Sequence, residues 1–258
     1  MEDFSKFSSS TLNIKMLDFF IKQNIINPIH NLDEIREEFI SNRYVVIKDF
    51  LKKEYAEALY NWFANEMPSD WWFSSSTPRM NGEKGFEKIQ NTEGNLRLIA
   101  ETHQYVFNKM FEGEFSYHFH RTLDDHVETC TCTECGFRRW TNSEENINFL
   151  NTLVEDPVSS ADSMFAAAYL PNDFLSPHVD SPNGRLGYVY QLTKNWKPQY
   201  GGNLHFMSDY DTIDEVSIPD FNTLTLFDLP EGEGKLHFVS TVSPGVEELR
   251  LTYTGWFE

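Results

Sequence analysis

Apolar positions recur at helical spacing through much of the first 111 residues, whereas from Ser163 onward they fall in short β-rich runs separated by turn signals. The change divides the chain. Asn31 can cap a helix whose first turn carries Asp33 and Glu34 and whose Leu32, Ile35, Phe39 and Ile40 share a face. Tyr44-Val45-Val46-Ile47-Lys48 reads as a β-branched strand. A second amphipathic helix is expected from about Lys52 to Met67, with Ala56, Leu59, Tyr60 and Phe63 on one side and Pro68 closing it. Trp71-Trp72-Phe73 and the stretch from Pro78 to Gly94 suit surface strand and loop, and a third helix should run from about Leu96 to Phe111. Leu12 to Ile21 fits a short helix or a strand equally well.

The second half reads as strands: Met164 to Leu170, Leu186 to Leu192, Asn203 to Met207, Thr223 to Leu229, Leu236 to Val242 and Leu249 to Phe257. Pro182-Asn183-Gly184, Tyr200-Gly201-Gly202 and Pro230-Glu231-Gly232 supply turn chemistry between several of them. Such spacing predicts antiparallel strands in a sandwich or barrel that closes its edges as a double-sheet jelly roll does. The expected fold is mainly β, with N-terminal helices packed on one sheet. No internal repeat is present, and Ser8-Ser9-Ser10 is the one low-complexity run.

Composition narrows the partners. Forty acidic against 21 basic residues give a net charge of −19, which disfavours nucleic acid and anionic membrane and would steer a basic peptide or protein toward the surface. The same acidity also serves solubility alone. Aromatic residues make up 15% of the chain, 22 of them Phe, so the core and any pocket should be dense in rings. No apolar run reaches membrane-span length, and Met1-Glu2-Asp3-Phe4 lacks a basic start followed by an apolar stretch, so a cytoplasmic location is expected. Cys130, Cys132 and Cys135 lie too close together for a secreted disulfide framework and suit a reducing compartment.

Candidate chemistry centres on Pro177-His178-Val179-Asp180, because residues two apart on an extended segment project to the same side. His-x-Asp pairs are common by themselves. Here His237, in Lys235-Leu236-His237-Phe238-Val239, can supply a third corner, and two His plus one carboxylate is the facial arrangement of non-heme Fe(II) oxygenases. Arg250-Leu251-Thr252 places a guanidinium and a hydroxyl on one face of the last strand, which suits a carboxylate deep in the barrel. A second cluster precedes the barrel. His126, Cys130, Cys132 and Cys135 can form a tetrahedral Cys3His zinc site of structural type, although Cys-x-Cys is a weaker signal than paired Cys-x-x-Cys, and plain reduced thiols are the alternative. His118 and His120 lie on an expected strand, each best read as a hydrogen-bonded structural residue.

These residues sit in text that resembles a known family, the 2-oxoglutarate- and Fe(II)-dependent dioxygenases, in particular their prolyl-4-hydroxylase-like branch. The resemblance is carried by Ala168-Tyr169-Leu170-Pro171-Asn172-Asp173-Phe174-Leu175 and Pro177-His178-Val179-Asp180-Ser181-Pro182-Asn183-Gly184-Arg185. It continues in Leu192-Thr193-Lys194-Asn195-Trp196, Gly201-Gly202-Asn203-Leu204, Pro219-Asp220-Phe221-Asn222, His237-Phe238-Val239 and Arg250-Leu251-Thr252-Tyr253-Thr254-Gly255-Trp256-Phe257. Residues 163–258 carry it strongly and 31–67 more weakly.

The resemblance implies a double-stranded β-helix, cupin-like core over 163–258. A support region over 31–162, with a Cys/His-rich insertion at about 115–140, would complete a single catalytic domain preceded by an arm, 1–30. It further implies that His178, Asp180 and His237 hold Fe(II), that Arg250 with Thr252 binds the distal carboxylate of 2-oxoglutarate, that Tyr169 hydrogen-bonds this co-substrate, and that Trp256 lines the metal pocket. Where the family often has a co-substrate-touching tyrosine, this chain has Gln191, whose amide can still donate; Tyr188 or Tyr190 is the alternative. The implied reaction uses O2 and 2-oxoglutarate, yields succinate and CO2, and hydroxylates a prolyl residue in a peptide or protein. Halogenating relatives lack the carboxylate that Asp180 supplies, which favours hydroxylation. A hydroxylase of a free amino acid or of a natural-product peptide at a non-proline residue is the rival, and a non-catalytic binding barrel a more distant one.

Overall fold

The computed structural model describes residues 19–20, 24–123, 129–161, 163–180, 184–229 and 234–258. Its expected helices are present as α1 (Leu32–Asn42), α2 (Lys53–Asn61) and α3 (Leu96–Phe111). Helix α1 stops where Arg43 turns left-handed, with φ 63°, and its N–H returns to the Phe39 carbonyl at 2.7 Å, which aims the chain into strand β1 (Tyr44–Ile47). Helix α2 continues as a single π-type turn, Trp62–Glu66, before Pro68.

Strands β2 (Phe73–Thr77) and β3 (Glu87–Gln90) pair with each other, and β2 also pairs with β4 (Tyr117–Arg121). Two helices that the apolar spacing did not signal follow: α4 (Thr133–Thr141) and α5 (Glu144–Leu153). The reason lies in burial. Thr133, Glu134, Cys135, Gly136, Phe137, Trp140 and Thr141 are all buried, so the polar residues of this short α4 do not mark a solvent face.

Eight further strands build the barrel: β5 (Ser163–Tyr169), β6 (Phe174–His178), β7 (Leu186–Gln191), β8 (Leu204–Asp209), β9 (Thr212–Ser217), β10 (Thr223–Asp228), β11 (Leu236–Val239) and β12 (Arg250–Phe257). All pairings are antiparallel, in the order β1-β10-β7-β12-β5-β4-β6-β11-β8-β9. The sheet nearly closes on itself as a jelly roll, the fold class expected above. Strand β9 escapes sequence detection because Ser217 is its one buried residue; as an edge strand it has no apolar face to alternate.

Strand alternation separates two cores. On one side of the sheet Ala166, Ala168, Tyr188, Tyr190, Leu224, Leu226, Leu251 and Tyr253 pack against the helices through Phe39, Leu59, Phe137, Trp140 and Leu150. On the other side Phe119, Phe165, Tyr169, Phe206, Phe227 and Val239 fill part of the barrel. Phe137 is central to the helix-side core: fully buried, it stacks on Trp140 at 5.2 Å and meets Tyr253 edge-on at 5.1 Å. Phe137→Ala should therefore cost about 3–5 kcal/mol. In urea unfolding this appears as a lowered midpoint with an unchanged slope; a midpoint near that of the parent chain would show that α4 does not anchor this core.

Candidate active site

Strand pairing brings the three metal-ligand candidates together. His237 on β11 lies directly opposite His178 at the end of β6, and Asp180 follows two residues on. His178 Nε2 stands 3.2 Å from one Asp180 oxygen, and His237 Nε2 stands 3.5 Å from the other. The two rings are 4.3 Å apart, and one donor atom from each residue lies within 4.8 Å of the others.

The remaining ring nitrogens settle the chemistry. His178 Nδ1 is 3.0 Å from the Ser176 carbonyl, and His237 Nδ1 is 2.8 Å from the Lys235 carbonyl. A carbonyl only accepts, so each Nδ1 carries the proton and, in the neutral ring, each Nε2 presents a lone pair. Lone pairs facing a carboxylate at these distances repel unless a proton or a cation lies between them. Carbonyl-fixed tautomers of this kind are the usual support for histidines that hold a metal. Burial alone would raise the Asp180 carboxyl, but hydrogen bonding and charge from His178, His237 and Trp256 bring it down to about 2. Burial, reinforced by His178, lowers His237 to about 4. An ionised carboxylate and a neutral imidazole at neutral pH are what a metal requires.

The last strand delivers the second half of the site. On β12, Leu251, Tyr253 and Phe257 enter the helix-side core, so Arg250, Thr252 and Trp256 face the barrel interior. Arg250 is 1% exposed, its guanidinium carbon lies 4.2 Å over the Tyr169 ring, and its Nε donates to the Gly202 carbonyl. Among the described residues no carboxylate is paired with it, and burial brings its pKa down to about 10. A buried guanidinium without an anion is costly, so the position is built for one to arrive.

Gln191 faces the same interior, opposite Thr252 on β12 and Thr223 on β10. Both atoms of its buried amide, and the hydroxyls of Thr223 and Thr225, lack hydrogen-bond partners. Tyr188 and Tyr190 do not substitute for a co-substrate tyrosine: alternation sends both into the helix-side core, where Tyr190 donates to Asn222 at 2.7 Å. Thr223 and Thr225 went unread in the sequence, although a polar residue at every second position of Thr223-Leu224-Thr225-Leu226 was a usable signal. Gly202 was also missed as a functional position.

Two other clusters lie outside the barrel interior. Cys130, Cys132 and Cys135 are brought within 4.8 Å of one another; His126 is outside the described residues. His118 and His120 point away from the barrel, toward α3, where His103 and Asp173 meet them. His103, His118 and Asp173 could hold a metal by proximity. The 2.6 Å His118 Nδ1 to Asp173 contact is nevertheless a hydrogen-bond length, and His118 Nε2 is engaged by Ser74 at 2.8 Å. Asp173 also accepts from the Leu170 N–H at 2.8 Å, so the network pins the turn that starts β6, the strand of His178.

A jelly roll holding two histidines, a carboxylate and an unpaired buried arginine defines an oxygenase of the facial-triad class. Residues 164–258 match the sequence profile of the 2OG-Fe(II) oxygenase superfamily, and the barrel and its donor set agree with that match. Its fold is similar to that of a prolyl hydroxylase from Trichoplax adhaerens in complex with a hypoxia inducible factor oxygen degradation domain peptide fragment (14% identity, 98% of this chain and 94% of that one, TM-score 0.58). A prolyl-4-hydroxylase from Pseudomonas putida (15%, 88% and 98%, 0.51) and a 2OG-Fe(II) oxygenase family oxidoreductase from Burkholderia pseudomallei (12%, 90% and 92%, 0.58) share it too. None of the curated proteins matches the chain by sequence. The family implies Fe(II) and 2-oxoglutarate, and the donors fit both: lone pairs around Asp180 for the metal, an orphaned guanidinium and amide for a dicarboxylate. No helix among the described residues is long and apolar enough to cross a membrane.

Gly202 has φ +62°, and a Cβ there would lie 2.8 Å from Arg250 Cδ. Gly202→Ala should displace the guanidinium and raise the 2-oxoglutarate concentration for half-maximal turnover about tenfold or more, with Fe(II) binding little changed. Equal losses for both would place the defect in folding rather than in the arginine.

Proposed function

We propose that the protein is a hydroxylase acting on a prolyl residue in a peptide or protein, with residues 31–258 working as one catalytic unit. The observation that carries hydroxylation is the complete triad: Asp180 occupies the carboxylate position between His178 and His237, at 3.2 and 3.5 Å from their Nε2 atoms. His178, Asp180 and His237 would hold Fe(II). Arg250 would bind the distal carboxylate of 2-oxoglutarate in a charge-assisted pair, with Thr252, Tyr169 and the free amide of Gln191 completing the contacts. When bound, iron and 2-oxoglutarate supply the O2-dependent oxidation of a C–H bond, with 2-oxoglutarate leaving as succinate and CO2.

The remaining residues shape what is oxidised. Trp256 on β12 helps to hold the Asp180 carboxyl down, and Phe165 packs beside it at 6.2 Å. Beside the triad the surface is apolar: the half-exposed Phe115 ring lies 5.3 Å from His178, and Val179 is 41% exposed. An apolar rim of this kind suits an uncharged side chain such as proline, and the net charge of −19 suits a basic polypeptide around it. The peptide-bound Trichoplax prolyl hydroxylase, whose fold this chain shares, supports a polypeptide substrate.

Mass spectrometry of proline-containing basic peptides incubated with enzyme, Fe(II) and 2-oxoglutarate should show addition of one oxygen at proline. Oxidation of free amino acids or of non-proline residues instead would move the substrate class and leave the oxygenase reading intact. His178→Ala and Asp180→Ala should both abolish succinate formation; full turnover by Asp180→Ala would remove it from the ligand set. Arg250→Ala should weaken 2-oxoglutarate by on the order of 100-fold, while Fe(II) binding measured without co-substrate is retained.

A further inference from the structure

The three cysteines form a cluster that the oxygenase chemistry does not use. Their sulfurs come from one six-residue stretch, Cys130 to Cys135, that runs into the start of α4. Cys132 is the N-cap of that helix and Cys135 its third residue, and the Cys135 N–H donates to Cys132 Sγ at 3.4 Å. Cys130 lies in the preceding loop, which Arg139 ties back to α4 by donating to the Cys130 carbonyl at 2.8 Å. Cys132 is 8% and Cys135 5% exposed, while Cys130 is half-buried.

We propose that Cys130, Cys132 and Cys135 bind a thiophilic divalent cation, Zn(II), as a structural site independent of the iron. Thiolates at about 2.3 Å around a tetrahedral zinc stand about 3.8 Å apart, and one sulfur from each of the three cysteines already lies within 4.8 Å of the others. Disulfide chemistry could not use the whole cluster, since any pairing of three cysteines leaves one over. A metal uses all three. The backbone amide aimed at Cys132 Sγ and the N-terminus of a helix of nine residues favour the thiolate at Cys132, whereas hydrogen bonding to Cys132 and burial push the Cys135 thiol up, so that a cation is what would let the sulfurs ionise together. Each Zn–S bond forms with loss of one thiol proton to solvent, and no electrons are exchanged. The fourth position is left for a water or a further donor.

The location explains what such a site would do. Helix α4 joins the helix-side core through Phe137 and Trp140, and Arg138 reaches the Leu123 and Met164 carbonyls. Thr122, just after β4, donates its hydroxyl to Glu134 on α4 at 2.6 Å and accepts from the Ala166 N–H on β5 at 3.0 Å. The metal therefore pins the turn that leads into α4, and contributes its binding energy to folding. By contrast, the His103, His118 and Asp173 group is satisfied by its own hydrogen bonds and needs no ion.

The test is zinc content by elemental mass spectrometry on the full chain purified from zinc-supplemented medium, with loosely held iron removed by a chelator. About one zinc per chain is expected, unchanged in His178→Ala/His237→Ala and lost in Cys132→Ser/Cys135→Ser. In the parent chain, titration with a thiol-reactive mercurial should release that zinc to a chromogenic chelator, and this readout decides the matter if the cysteine variant fails to fold. Cobalt(II) in place of zinc should give tetrahedral ligand-field bands with sulfur-to-metal charge transfer. Zinc that disappears with the histidine variant, zinc that survives the cysteine variant, or mercurial titration with no zinc released would each overturn the proposal. Because the histidine variant cannot turn over, failure of the oxygenase reading and failure of the zinc site are read separately.

Discussion

Strand β12 is held between β5 and β7, and its alternation is the constraint on which both cores depend. Leu251, Tyr253 and Phe257 are fully buried against the helices, and this fixes which way Arg250, Thr252 and Trp256 must point. A slip of one residue would bury the guanidinium among aromatic rings and turn Tyr253 into the barrel. The apolar burial that stabilises the fold is therefore also what holds an unpaired cation in the interior, against a desolvation cost of several kcal/mol.

The same logic runs through the metal corner. His178 and His237 meet because β6 and β11 pair there, and the irregular register between His237 and Val239 falls at that pairing. The turn into β6 is in turn fixed by Asp173, whose oxygens bind His118 and the Leu170 N–H. Burial pushes this carboxyl up to about 7 and His118 down to about 4, so the pair holds a single proton between them instead of two full charges. The triad corner and the arginine corner share this plan: backbone register places the polar group, and a neighbouring buried contact fixes its orientation or charge.

The reach of sequence reading differs from element to element. The amphipathic helices α1, α2 and α3 and the strands with one apolar face were legible because each shows water a different surface from the one it shows the core. Helix α4 was not, being buried on nearly every side, and β9 was not, being exposed on nearly every side. His178, Asp180, His237 and Arg250 were legible as chemistry because carboxylates, imidazoles and guanidinium seldom occur in strands without a task. Thr223, Thr225 and Gly202 were not, since neither a threonine in a strand nor a glycine in a turn announces a pocket.

The amino-acid sequence by itself determined the local periods, the residue types able to hold a metal and a dicarboxylate, and the family text in which they lie. Tertiary structure decided the rest: that Tyr188 and Tyr190 belong to the helix-side core while Gln191 enters the barrel, that Nδ1 of each histidine donates to a carbonyl so that both Nε2 atoms face Asp180, and that Arg250 meets no carboxylate among the described residues. The physical reason is that a side chain's direction follows from strand period, but which side is the barrel and which neighbour waits there depends on pairings between residues far apart in the chain.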